Sequence, residues 1–130
     1  MVVTDQGKIE LAKAILDYVK EHFRYFGVGT SNVPESTPSN DLFSPIEWQR
    51  GTGIYRKEVE DIVFDGQNIV FRCKLRFNEF NGDTGSVNIY EVGIFNAKMG
   101  GQMLMRVVLP TPEYKSNTIE KTIDVKLKLW

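Results

Sequence analysis

The sequence contains little of the chemistry that most catalytic and metal sites use. Among 130 residues there is one cysteine, Cys73, and one histidine, His22. A single cysteine cannot form a disulfide within the chain, and these two residues alone cannot make a soft-ligand zinc site. We expect Cys73 to be a small buried side chain and His22 to close a helix. We therefore predict no enzymatic activity, no cofactor and no metal.

A charge excess and a long apolar run are also missing. The 16 basic and 17 acidic residues leave a net charge of −1, so a nucleic-acid partner is not expected. No run approaches the roughly 18 apolar residues of a membrane helix, and no secretory leader is recognisable, so we predict no membrane association. The exception is a basic row of Arg72, Lys74 and Arg76, which we interpret as a solvated strand face paired with Glu58 and Glu60.

The first third of the sequence predicts one helix, then a short strand-like run that ends in glycines (residues 24–30), and then one long loop. Thr4 or Asp5 can cap a helix over residues 4–23, whose apolar residues recur at helical spacing: Ala12, Ile15, Leu16, Val19 and Phe23. Residues 31–50 form a Pro/Ser/Thr-rich loop, because three prolines exclude regular structure there. A loop of this length is often functional or ordered by a partner.

The remainder, residues 54–130, reads as an antiparallel β-sheet of five or six strands. Apolar and charged residues alternate from Ile69 to Phe77, and turns are predicted at Asp65-Gly66 and at Met99-Gly100-Gly101. Residues 1–130 are thus predicted to be a single domain, mainly β with one N-terminal α-helix. The expected architecture is an antiparallel β-sandwich or barrel with the helix packed on one edge or end.

One acid, Glu91, lies inside a predicted strand among apolar neighbours. A carboxylate there could be a catalytic acid, a metal ligand or part of a buried salt bridge. Burying it without a partner costs several kcal/mol, so an arginine is expected beside it. Arg106, across the predicted hairpin, and Arg50 are the candidates, and Glu47 is a further candidate for such a structural ion pair. We interpret Glu91 as an anchor for the loop or the hairpin.

The order of short motifs adds a resemblance that covers nearly the whole chain. The motifs are Thr4-x-x-Gly7, Phe26-Gly27-Val28-Gly29-Thr30, Leu42, Glu47-x-x-Arg50, Glu91-Val92-Gly93-Ile94-Phe95, Gly100-Gly101 and Met105-Arg106. This order resembles small tail-associated structural proteins of tailed phages and prophages, including the N-terminal module of phage tail-collar fibre proteins. Those fibre proteins continue into long shafts and tips, whereas this chain stops at Trp130, so the resemblance implies an attachment module or a self-standing virion component.

The resemblance implies a virion structural protein of the tail, baseplate, neck or fibre attachment, made in the host cytoplasm and located in the virion. It would contact itself, as a trimer or six-fold ring, and other virion structural proteins. The outer helix face and eight further residues are the predicted contact points: Val33, Pro34, Pro38, Leu42, Phe43, Pro45, Trp48 and Trp130.

Two alternatives stay open at this stage. A small β-sandwich that binds carbohydrate for host recognition could use aromatic residues as sugar platforms: Trp48, Tyr55, Tyr90 and Tyr114. A capsid decoration protein would differ from a tail component only in its place in the particle.

Overall fold

The computed structural model describes residues 2–130, and within them the chain forms one helix and seven strands in two antiparallel sheets. The elements are α1 (Asp5–His22), β1 (Tyr25–Gly29), β2 (Lys57–Glu58), β3 (Asp61–Phe64), β4 (Asn68–Leu75), β5 (Ser86–Phe95), β6 (Met103–Ser116) and β7 (Lys121–Lys128). The sheet orders are β2-β1-β5-β6 and β3-β4-β7. The predicted fold class is confirmed, but the barrel alternative is wrong, because neither sheet closes on itself and each keeps two edge strands.

The helix begins and ends where its capping residues predict. The Thr4 hydroxyl accepts a hydrogen bond from the Gly7 N–H at 3.0 Å, and the Phe23 N–H donates to the Val19 carbonyl at 2.8 Å. Ala12 and Val19 are buried, and α1 lies against the edge strand β3. The helix therefore lies at a sheet edge, as predicted.

One apolar core joins the two sheets. Phe26, Val28, Val92 and Ile94 from the four-stranded sheet are fully buried and belong to the same cluster as the inward residues of β4 and β7: Ile69, Phe71, Cys73, Leu75, Ile123 and Val125. Each such side chain contributes about 1.5–3 kcal/mol by leaving water. Burial raises the pKa of the Cys73 thiol, so this cysteine is an inert core residue, as expected.

The two predicted hairpins are present. Between β3 and β4, the Asp65 carboxylate accepts from the Gln67 and Asn68 N–H groups at 3.0 and 2.7 Å, and these bonds lower the pKa of Asp65. Between β5 and β6, Gly100 and Gly101 both have positive φ, which favours glycine.

The predicted sheet boundaries need correction. β1 precedes the loop and pairs with β5 along its whole length, whereas residues 54–56 lie outside any strand. The short, glycine-containing β1 has weak strand propensity of its own, because glycine offers no side chain to pack. Its place is determined by pairing with β5.

The basic row lies on the exposed side of β4. Arg72 Nε is 3.3 Å from Asp124, and Arg76 Nη2 is 3.8 Å from Glu60, whereas the predicted partner Glu58 reaches Arg24 instead. These pairs are solvent-exposed and contribute little to stability.

Within residues 2–130, no helix combines the length and the apolar character that crossing a membrane requires.

The long edge strand β6 is protected along part of its length. The Val108 N–H donates to the Glu35 carboxylate at 2.7 Å, and Pro110 and Pro112 lie in the second half of the strand. A covering loop and prolines both prevent an edge from pairing with another chain. The strand therefore does not offer an open ladder of backbone groups.

Candidate functional site

The Glu91 side chain is completely buried in the middle of β5 and is surrounded by hydrogen-bond donors. Its carboxylate accepts from the N–H groups of Ser44 at 2.8 Å, Phe43 at 3.0 Å and Ser31 at 3.3 Å. Arg106 Nε donates the fourth bond at 2.8 Å. A carboxylate has about four lone-pair sites, so none is left for a substrate or a metal ion.

Arg106 completes the contact from the neighbouring strand β6. Its Nη1 donates to the Val33 carbonyl at 2.7 Å and its Nη2 to the Ser31 carbonyl at 3.3 Å. The guanidinium also lies 4.8 Å from the centre of the Phe43 ring. The Arg106 side chain is 4% exposed and that of Glu91 is 0% exposed, so the ion pair is sealed beneath the loop. The arrangement is that of an anchor, and it holds the first half of the connection between β1 and β2.

Glycines on the same sheet face leave room for this contact. A Cβ atom at Gly29 would overlap the Glu91 carboxylate and lie 2.5 Å from the Ser44 carbonyl oxygen. At Gly93 a Cβ would lie 2.9 Å from the Leu42 side chain, and at Gly27 it would lie 3.0 Å from the Tyr55 carbonyl. These glycines therefore let the loop backbone approach the sheet closely.

A second buried acid, Glu79, holds the later part of the same connection, around Trp48. Its carboxylate accepts from Trp48 Nε1 at 2.5 Å, from Lys57 Nζ at 2.7 Å and from the Arg76 N–H at 2.8 Å. Burial raises the pKa of Glu79, but these hydrogen bonds outweigh it and lower the pKa below its ordinary value. Glu79 was not predicted as a site residue, because its partners Trp48 and Lys57 are distant in the sequence.

Arg56 fastens the end of the connection. Its Nη1 donates to the carbonyls of Ala97 at 2.9 Å and Gly100 at 2.6 Å, and its guanidinium lies 3.5 Å from the Phe95 ring centre. Burial lowers the pKa of Arg56, although Asp41 acts in the opposite direction. An arginine remains cationic even so. Glu91, Glu79 and Arg56 thus hold residues 30–56, which we call the anchored connection.

Beside Arg56 lies an open cleft of about 320 Å³. Its walls combine apolar side chains with two cations and one acid, and they include Asp41, Leu42, Pro45, Tyr55, Arg56, Phe95, Lys98 and Met99. Trp48 lines an adjoining cleft that shares Arg56 and Lys98. Of the four aromatic residues considered as sugar platforms, Trp48 and Tyr55 therefore lie near each other, whereas Tyr90 and Tyr114 line neither cleft.

The structure brings together only part of the predicted salt-bridge set. Glu91 pairs with Arg106, as described. Arg50 is exposed in the turn that follows Trp48, and it has no ion-pair partner among residues 2–130. Glu47 accepts a hydrogen bond from the Gly53 N–H at 2.7 Å and so supports that turn. Glu47 is therefore structural but separate from Glu91.

The predicted contact residues differ in exposure. Leu42 is buried against the glycine-bearing sheet face and forms part of the cleft wall, so it lies deeper than the surface position predicted from the sequence. Val33, Trp48 and Trp130 are half-buried, and the Trp130 ring lies 5.9 Å from Lys8 Nζ. The remaining contact candidates are exposed: Pro34, Pro38, Phe43 and Pro45.

Within residues 2–130, no three His, Cys, Asp or Glu side chains lie close enough together to hold a metal ion. Comparison with protein-family models, with curated proteins and with solved structures found no match in any of the three.

Proposed function

We propose that this protein is a non-enzymatic structural subunit of a virion. It would serve in a phage tail, baseplate, neck or fibre attachment and act through protein–protein contacts in a symmetric homo-oligomer. The observation that supports this most is the anchored connection, because buried charges hold a long proline-rich segment in one conformation at the surface. A surface that is ordered in advance avoids the entropy cost of ordering when a partner binds.

The motif residues behind the resemblance to tail-associated proteins support the same proposal. Gly27, Gly29, Glu91, Gly93 and Arg106 meet on one sheet face and together seat the loop. These residues shape a surface. The one acid among them, Glu91, has its acceptor sites filled by hydrogen bonds and is not available as a nucleophile or a general base. Their role in this chain is therefore one that a structural subunit requires.

Exposed apolar side chains lie around the anchored connection. Phe43 and Tyr55 are exposed within it, and Met99, at the tip of the β5–β6 hairpin, is 72% exposed beside the cleft. Aromatic residues and methionine are enriched in protein–protein interfaces. We take Phe43, Tyr55 and Met99 as the centre of a contact surface.

Solution mass by light scattering, over a range of protein concentrations, tests the proposal. The wild-type chain should form a discrete closed oligomer, and Phe43→Ser/Tyr55→Ser should shift it toward smaller species. Val63→Ser removes an equally exposed apolar residue from β3, away from this surface, and should leave the mass unchanged. A monomer at every concentration, with no ring or trimer by electron microscopy, would contradict the proposal.

The cleft beside Tyr55 favours carbohydrate binding as the second candidate function. An aromatic ring next to Lys98 suits an acidic sugar, because the ring can stack and the ammonium group can pair with a carboxylate. Arg56 is already held by the carbonyls of Ala97 and Gly100 and lies 3.7 Å from Asp41, so it shapes the wall of the cleft. A glycan array probed with the wild-type protein and with Tyr55→Ala distinguishes the two functions. Binding that Tyr55→Ala abolishes would favour the recognition module.

A further inference from the structure

Strand β7 leaves its outer edge unpaired over its whole length of eight residues. Within residues 2–130 it pairs only with β4, in an uninterrupted register, and it contains neither proline nor glycine. The other three edge strands are protected. β2 has only two residues, β3 lies against α1, and β6 is covered by Glu35 and carries prolines. An open edge strand of this length is a template on which another strand can pair.

Alternate residues of β7 point their backbone groups toward this open edge. The Leu129 N–H donates to the Gln67 carbonyl at 2.9 Å, on the side of β4. Because the direction of these groups alternates from one residue to the next, the even-numbered residues face away from β4. They are Thr122, Asp124, Lys126 and Lys128, and their side chains are exposed. Their N–H and carbonyl groups are in position to bond a strand added at the edge.

We propose that β7 pairs with β7 of a second copy of the chain, antiparallel and about a two-fold axis beside Val125. Only the even-numbered residues can bond across the contact, so each must lie opposite an even-numbered residue of the other copy. With Val125 at the axis, Asp124 lies opposite Lys126 of the second copy, and Thr122 lies opposite Lys128. The three strands of each copy then continue into one sheet.

Charges on the outer face select this register. Asp124 of each copy faces Lys126 of the other, and opposite charges directly across an antiparallel pair are stabilising. The next registers that the backbone allows would place Asp124 against Asp124 in one direction, or Lys126 against Lys126 in the other. Like charges directly opposite are destabilising. The Asp124 carboxylate also lies 3.3 Å from Arg72 Nε on β4, so charges of alternating sign run across the contact.

The neighbouring lysines are compatible with the contact. Lys128 stands diagonally from Asp124 of the second copy, within reach of its carboxylate. Lys74 is the neighbour of Thr122 on β4 and so lies two strand spacings, about 9.5 Å, from Lys128 of the second copy. Salt screens exposed charges over about that distance.

The ends of the contact are also compatible with it. Lys121 Nζ is 3.0 Å from the Glu113 carboxylate of its own chain, which neutralises it. Glu120, just before β7, would lie opposite Trp130 of the second copy, where no like charge stands. The far edge of the same sheet, β3, lies against α1, so the pairing ends at two copies.

This contact goes beyond the proposed function, because it is argued from β7 alone and involves neither Phe43 nor Tyr55. A two-fold contact closes after two copies. It would therefore join two subunits, or two rings of subunits, and would not build the ring itself.

Charge reversal tests the contact and its register in solution. Lys126→Glu places an acid opposite Asp124, and Asp124→Lys places two lysines opposite each other, so either variant alone should have about half the solution mass of the wild type. When the two variants are mixed, opposite charges meet at both positions, and light scattering should show the wild-type mass again. Lys13→Glu makes the same charge change on an exposed lysine of α1 and should leave the mass unchanged. Circular dichroism shows whether each variant is folded.

Hydrogen exchange at single amides gives an independent reading. The amides of Thr122, Asp124 and Lys128 should exchange about tenfold more slowly in the wild type than in Lys126→Glu, because the second copy protects them. The amides of Ile123 and Val125 are bonded to β4 in both proteins and should not differ. A uniform difference along β7 would contradict pairing at its edge.

The outcomes separate this contact from the proposed function. If Lys126→Glu leaves the mass of a wild-type oligomer unchanged, or if the mixed variants stay apart, the β7 contact is wrong and the proposed function stands. If the wild type forms only a dimer, which Lys126→Glu dissociates and Phe43→Ser/Tyr55→Ser leaves intact, the β7 contact is right and the proposed surface around Phe43 is wrong. A wild type that stays monomeric at every concentration would contradict both.

Discussion

The two faces of the four-stranded sheet are covered in opposite ways. On the inner face, Phe26, Val28, Val92 and Ile94 pack into the common core. On the outer face, a backbone segment lies over glycines and is held by the buried Glu91–Arg106 pair. The inner face depends on apolar area, which is non-directional. The outer face depends on charge-assisted hydrogen bonds, which act only at defined distances and angles.

This difference predicts that the outer face tolerates substitution poorly. An apolar core accepts residues of similar volume with small losses. A buried ion pair loses much more when one partner is removed, because the remaining charge stays buried without compensation. Stability should therefore be more sensitive to single changes around Glu91 than to comparable changes around Ile94.

The largest effect is expected from Arg106→Met. It leaves the Glu91 carboxylate buried without its cation and should lower the free energy of unfolding by about 3–5 kcal/mol. Urea denaturation at neutral pH measures this loss. Arg50→Met, at an exposed arginine, is the control and should change stability by less than about 0.5 kcal/mol. Adding Glu91→Gln to Arg106→Met should recover part of the loss, and strict additivity would argue against coupling of the two residues.

A smaller loss is expected from one added methyl group, in Gly29→Ala. The new Cβ overlaps the Glu91 carboxylate and approaches the Ser44 carbonyl, so the loop must move, at a cost of about 1–3 kcal/mol. Gly93→Ala is the matched comparison, since its Cβ meets side-chain atoms of Phe95 and Leu42, which can shift. Thermal denaturation should rank Gly29→Ala as the less stable variant. The opposite ranking would show that the loop backbone is not held tightly.

Removing one methyl group from the inner face should cost less still. Ile94→Val should lower stability by about 0.5–1.5 kcal/mol, because the core loses contact area but no polar group is left unpaired. Guanidinium denaturation of this variant beside Gly29→Ala compares the two faces directly. If Ile94→Val lost more stability than Gly29→Ala, the inner face would be the more sensitive of the two sheet faces.

Lowering the pH should gradually reduce the stability of the protein, because Glu79 becomes protonated. Its pKa in the folded protein lies below the ordinary value of 4.5, so it stabilises the fold fully above that pH. The contribution is lost as the pH falls through the lowered folded value. Stability of the wild type should therefore fall more steeply with acidification than that of Glu79→Gln. Equal slopes in a denaturation series below about pH 5 would exclude this role.

Local patterns account for the elements that were predicted correctly. Thr4 and the apolar stripe define α1, and Asp65-Gly66 and Gly100-Gly101 define two hairpins. Glu91 and Arg106 are 15 residues apart in one hairpin, so their pairing could be predicted from the sequence as well.

The contacts that were missed join parts of the chain that no local pattern relates. Glu79 accepts from Trp48 across 31 residues, and Arg56 donates to Ala97 across 41. Residues 24–30 were predicted as a short strand-like run ending in glycines, but the close approach of the loop backbone to Gly27 and Gly29 was not predicted. Such contacts depend on tertiary packing, which propensity and periodicity do not encode.

The sequence separation of the Glu91 contacts also sets an order of events during folding. The N–H groups of Ser31, Phe43 and Ser44 precede their acceptor by 47 to 60 residues. During synthesis, residues 30–44 leave the ribosome well before the strands that hold them, and contacts between such distant residues form late. Until the β5–β6 hairpin is in place, the Glu91 carboxylate and Arg106 are not positioned to hold residues 30–44. The anchored connection therefore reaches its final conformation only after this distant hairpin has formed.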